Sequence, residues 1–273
     1  GADVTLLAGL STAGGDVTND TFGGVIDTSG GDSQLGAGGD AGNVVVNTAD
    51  GEIALFTMGA PNQDRVIDAH GGDSLSGVTN ANGGNPGTVD LVTDTAGTGN
   101  PGNDIRIGGL ITTQGGSSGP YPGGGSQGIP ADPVAYAHGP GQGEGNGTDG
   151  GQVQIIAGEQ GSPGNVEIDG AIYASGGAGA NTGGGTDGGD VSIRAELGTI
   201  TNNGASPGIV TTGASSLNGD GGDGGDVLVQ ASDQITHDSF EIVTVGGTSL
   251  ANGNGGDGGD VVFVAASSAV ILL

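Results

Sequence analysis

The chain has 273 residues, of which 67 are Gly and 10 Pro; 33% are hydrophobic, but only 3% are aromatic and none is Trp. Acidic residues number 31 against three basic ones, all Arg, giving a formal charge of −28 at pH 7. That field repels nucleic acid and anionic membrane surfaces and attracts metal cations, and the lack of large side chains excludes a thick globular core. Gly and Pro at this density mean disorder when they carry no period and a repeat fold when they do.

A period is present. The first element of each unit is a polar residue followed by Val, any residue and an aliphatic: Asp3-Val4-Thr5-Leu6, Asn43-Val44-Val45-Val46, Thr88-Val89-Asp90-Leu91, Gln152-Val153-Gln154-Ile155, Asp190-Val191-Ser192-Ile193, Asp226-Val227-Leu228-Val229 and Asp260-Val261-Val262-Phe263. Alternation of this kind with β-branched residues predicts a strand with one face buried. A weaker second strand follows, as in Glu52-Ile53-Ala54-Leu55, Asn165-Val166-Glu167-Ile168 and Thr199-Ile200-Thr201. The third is led by an aliphatic, with a small residue two places on and usually a Gly pair after it. Its leading residues read as Ile26, Ile67, Ile111, Ile172, Val210 and Ile242, and its small residues as Thr28, Ala69, Thr113, Ala174, Thr212 and Thr244.

The spacing of the first valines runs from 34 residues (Val227 to Val261) to 64 (Val89 to Val153), the variation falling in the loops. Helical repeats do not tolerate Gly at this density, since each costs about 1 kcal/mol relative to Ala in a helix interior. The expectation is therefore an all-β, single-domain parallel β-helix over residues 1–273. It has six to seven coils of three short strands (A, B and C) with Gly-rich loops. Like strands stack roughly 4.8 Å apart around a dry interior, with Ile111 inward and Thr112 on a solvated outer face.

One unit departs from the rest. Residues 114–151 form an extended loop with Pro120, Pro122, Pro130, Pro133, Pro140, Tyr121 and Tyr136. Two readings stand: a tolerated surface insertion, or a site of lateral contact or ligand binding.

For chemistry, the metal-like signals are Gly221-Gly222-Asp223-Gly224-Gly225-Asp226 and its echo Gly255-Gly256-Asp257-Gly258-Gly259-Asp260. They resemble the nonapeptide repeats of calcium-binding RTX proteins, which implies Ca²⁺ held by Gly carbonyls and the aspartates; in that family the repeats run in tandem, whereas here each stands alone. Independently, Asp190, Asp226 and Asp260 precede strand A, and stacking brings such carboxylates about 5 Å apart, where they raise each other's pKa or recruit a cation. The alternative is that Gly N–H groups and diffuse counterions suffice. Catalysis is not expected: Arg65, Arg106 and Arg194 fall in different units at different strand positions, and His70, His138 and His237 in unrelated ones read as surface residues.

The repeat grammar resembles that of the glycine-rich parallel β-helix proteins of bacterial surfaces, which include adhesins and filament subunits. The resemblance implies an extracellular or cell-surface setting and a structural or adhesive role. No Cys and no apolar run of membrane-spanning length is present; the chain reads as a mature, secreted product without a signal peptide, and is expected not to insert into a membrane. Both ends read as apolar open coils, the seventh having strands A and B but no strand C. The expected partner is thus a second copy, joined head to tail through Val4, Leu6 and Leu7 at one end and Val261, Phe263, Val270, Ile271, Leu272 and Leu273 at the other. A filament subunit is the leading reading, a segment of a large adhesin the second, and a polysaccharide-acting enzyme the third.

Overall fold

The computed structural model describes residues 1–9, 15–19, 24–57, 64–75, 81–95, 102–118, 146–179, 184–203, 208–216, 218–238, 241–266 and 270–272. Most of the 114–151 loop, with its prolines, its two tyrosines and His138, lies outside the described residues, as does Leu273. All the regular structure described is β.

The strands form three parallel sheets. Sheet A stacks seven: Val4–Ala8, Val44–Thr48, Val89–Val92, Val153–Ala157, Val191–Ala195, Val227–Ala231 and Val261–Ala265. Sheet B also stacks seven: Val17–Thr18, Ile53–Phe56, Ile105–Gly108, Val166–Ile168, Ile200–Asn202, Ile235–His237 and Val270–Leu272. Sheet C stacks six: Ile26–Asp27, Arg65–Asp68, Leu110–Thr112, Ile172–Tyr173, Ile209–Val210 and Ile242–Val243. The chain visits A, B and C in turn seven times, the last turn without a C strand among the described residues. This is the expected parallel β-solenoid.

Register makes the core. Val4, Val44, Val89, Val153, Val191, Val227 and Val261 align in one inward column. Leu6, Val46, Leu91, Ile155, Ile193, Val229 and Phe263 form the next. Sheets B and C add columns of Ile and Val, and in the middle coils these side chains are fully buried. Small apolar side chains suffice because each fills only one strand spacing of a narrow prism, and each backbone group is paired in the coils above and below.

The sheet C column differs from the sequence reading at one coil. Ile209, not Val210, pairs with Ile172 and Ile242 and lies inward. Val210 instead joins Leu110, Ala171 and Tyr173 in a second apolar cluster on the outward side of this sheet. The next residue shifts with it: Thr211, rather than Thr212, is the corner residue. Its hydroxyl donates to the Gly225 carbonyl at 2.7 Å, as Thr28, Thr113 and Thr244 do to Gly42, Gly151 and Gly259. Ile209-Val210-Thr211-Thr212 reads equally well in either register by pattern, and this corner bond distinguishes the two. The outward cluster also corrects the expectation of a solvated face at Thr112, which is 1% exposed. A one-residue bulge at Val66, between the Arg65–Leu110 and Ile67–Ile111 pairs, puts a further buried side chain into this sheet.

Candidate functional site

The aspartates of the two Gly-Gly-Asp-Gly-Gly-Asp motifs lie exposed at the corner that leads into sheet A. Stacking brings them together as expected, but into hydrogen-bonded ladders. One carboxylate oxygen of Asp190 accepts the backbone N–H of Asp226 at 2.9 Å, and Asp226 in turn accepts that of Asp260 at 2.8 Å. Three residues earlier in each coil, Asp149 accepts from Asp187, Asp187 from Asp223, and Asp223 from Asp257, at 2.7–3.0 Å.

The same device recurs in the N-terminal coils and at the entry to sheet B. Asp3 accepts from the N–H of Asn43 and Asn43 from that of Thr88; Asp104 accepts from Asn165 and Asn165 from Thr199. These corners leave strand geometry, so their N–H groups need an acceptor that the sheet ladder does not supply, and an Asx side chain one coil away provides it. Asn serves where Asp serves elsewhere. At these steps the acceptor is a side-chain oxygen, charged or not, while the equivalent steps from Thr88 to Gln152 and from Gln152 to Asp190 carry no such bond. Among the described residues, no group of three or more His, Asp or Glu converges as a metal site would require.

A substitution pair separates the two accounts. Asp226→Asn keeps the acceptor and removes a charge from a column of like charges, so the melting temperature should hold or rise. Asp226→Ala strands the N–H of Asp260 and should cost about 1 kcal/mol. A calcium cage gives the opposite signature: millimolar Ca²⁺ would raise the melting temperature of the native chain, and Asp226→Asn with Asp260→Asn would abolish that rise.

The basic residues lie on three different sheets, each beside a carboxylate. Arg65 pairs with Asp68 and Arg194 with Glu196. On sheet B, Arg106 lies between Glu52 at 3.3 Å and Glu167 at 3.8 Å, beside a shallow groove lined also by Asp104, Asn165, Thr199 and Thr201. Asp68 accepts from Arg65 and meets Nδ1 of His70 at 2.5 Å. Burial pushes its carboxyl up, but the hydrogen bond and charge of His70, with the charge of Arg65, outweigh that and hold it below the ordinary carboxylate range.

His237 was expected at the surface and is instead 7% exposed, in an inward column of sheet B. Nδ1 lies 3.0 Å from the amide nitrogen of buried Asn202, and the ring meets Phe263 edge-on with centroids 5.4 Å apart. Alternation in Ile235-Thr236-His237 carries the signal that it points inward.

The end faces carry the residues expected at a polymer interface. Val4 and Phe263 are half-buried, while Leu6, Leu7 (50%) and Val261 (40%) are exposed, although the matching column positions Val44, Val46, Val227 and Val229 are covered in full by neighbouring coils. Val270, Ile271 and Leu272 form the last strand of sheet B, in register with Ile235, Thr236 and His237. Comparison of the chain with family models, with curated proteins and with solved structures gives no match.

Proposed function

We propose that this protein is a non-enzymatic, extracellular structural subunit whose solenoids stack head to tail into a filament. The observation that carries the proposal is the match between the two end faces. Extending the internal register by one coil sets Val261 of one copy against Val4 of the next, Phe263 against Leu6 and Ala265 against Ala8, so each column continues with residues of its own kind. In sheet B, Val270 meets Val17 in the same way. Sheets A and B thus run on through the junction, while sheet C has one strand fewer. An exposed parallel edge of apolar residues is a template for further pairing, and a head-to-tail contact of this kind is open-ended.

Pairing of each Arg with a carboxylate, and the strong negative charge, support a structural over a catalytic role. The 114–151 loop supplies a candidate for lateral contacts between filaments. The second reading, a segment of a larger adhesin, has the same faces covered by coils of the same polypeptide.

Sedimentation across a concentration series tests the proposal. The intact chain should shift to large polymers as concentration or salt rises, since screening relieves repulsion between like-charged copies. Val261→Lys, exposed at the end face of a single copy, should keep the monomer fold and suppress the polymer, because stacking would bury an unpaired ammonium. An intact chain that stays monomeric throughout contradicts the proposal.

A further inference from the structure

We propose that the ladder at the entry to sheet A continues across the junction, with a carboxylate oxygen of Asp260 in one copy accepting the backbone N–H of Asp3 in the next. This rests on the stacking reading above and identifies the polar contact that would orient it. Four of the six steps between successive coils carry this bond, and all four run one way, from an acceptor in one coil to an N–H in the coil that follows: Asp3 to Asn43, Asn43 to Thr88, Asp190 to Asp226 and Asp226 to Asp260; the steps on either side of Gln152 carry none. Asp260 is the last member, and among the described residues its carboxylate accepts no hydrogen bond. Asp3 holds the same place, one residue before the first Val of its coil, and its N–H donates to nothing in the described structure. Setting Val261 against Val4 brings these two groups together at the spacing found inside the molecule.

The direction of the ladder decides the symmetry of the junction. Two C-terminal faces would oppose acceptor to acceptor and two N-terminal faces donor to donor, so only a head-to-tail contact completes the bond. The partner the face fits is a second copy of this chain in parallel register. The Asp260 and Asp3 carboxylates would then lie about 5 Å apart, one strand spacing, which the chain already accommodates between Asp226 and Asp260.

The critical concentration for polymerisation, measured by sedimentation for the intact chain, Asp260→Asn and Asp260→Ala, tests this. Asp260→Asn keeps the acceptor and should assemble at or below the concentration the intact chain needs. Asp260→Ala should need about 3- to 10-fold more, the loss of one hydrogen bond per junction. Asp260 is exposed at the edge of the solenoid, and circular dichroism of the two variants at low concentration should show equal monomer folding. Equal critical concentrations for Asn and Ala overturn the ladder contact while leaving stacking intact. Failure of the intact chain to polymerise overturns stacking itself, and the contact with it.

Discussion

Ile155→Asp should destabilise the protein by several kcal/mol, enough to unfold the central coils of a domain whose total stability is of order 5–15 kcal/mol. Ile155 has no exposed surface and stands between Leu91 and Ile193 in an inward column without a polar side chain. A carboxylate there has no donor in its own column and cannot reach solvent without parting two sheets. Its neighbour Gln154 lies on the same strand and faces out, exposed. Gln154→Ser should therefore stay within about 0.5 kcal/mol of the native chain. Denaturant unfolding of both variants is the check, and equal losses would mean that the inward and outward faces of sheet A are wrongly assigned.

Gly189→Ala should be nearly as damaging, for a reason that lies in the backbone. A Cβ at Gly189 would fall 2.2 Å from the Gly151 carbonyl oxygen, and 2.7 Å from the Gly150 carbonyl carbon. The clash is with main chain, so no rotamer change relieves it and the coils must separate locally. Gly87, Gly151, Gly225 and Gly259 occupy the same corner position, and a Cβ on each would fall 2.0–2.3 Å from the carbonyl oxygen of the preceding coil's glycine. Here Gly is required for close approach, which is why the residue before each entry ladder is so uniformly Gly. A loss of about 3 kcal/mol or more is expected, the range for overpacking and strain combined. Gly31→Ala, where a Cβ would meet nothing within 4 Å, should be close to neutral. Thermal melts of the two variants decide this, and a neutral Gly189→Ala would contradict the coil packing described above.

The parts of the fold legible in the sequence are those fixed by one-dimensional pattern. Strand A was readable because Val-x-aliphatic recurs with a polar residue before it, and its full register follows from aligning the valines. Strand C was readable except where two β-branched residues and two threonines follow one another at 209–212, where either register satisfies the pattern. There the choice falls to a contact between distant residues, the Thr211 hydroxyl and the Gly225 carbonyl.

The candidate site was legible in position but not in chemistry. Stacking of Asp190, Asp226 and Asp260 followed from the repeat, but the backbone N–H groups that the Asp190 and Asp226 carboxylates bind belong to corners whose geometry a sequence does not display. The interchange of Asp with Asn at Asn43 and Asn165 was the available clue to the ladder, since an amide oxygen accepts the same backbone N–H as a carboxylate. The buried places of Thr112 and His237 escaped for a related reason. Polar residues are read as exposed by default, and only the three-dimensional surroundings, an apolar outer cluster in one case and Asn202 with Phe263 in the other, show them buried.

The stacking of copies is the central claim, and electron microscopy of the concentrated intact chain tests it most directly. Seven sheet A strands at about 4.8 Å give each copy a length of about 34 Å along the solenoid axis. The account predicts unbranched filaments with a layer spacing near 4.8 Å and a subunit repeat near 34 Å. Dispersed single particles under the same conditions, or fibres without the axial 4.8 Å spacing, would contradict it.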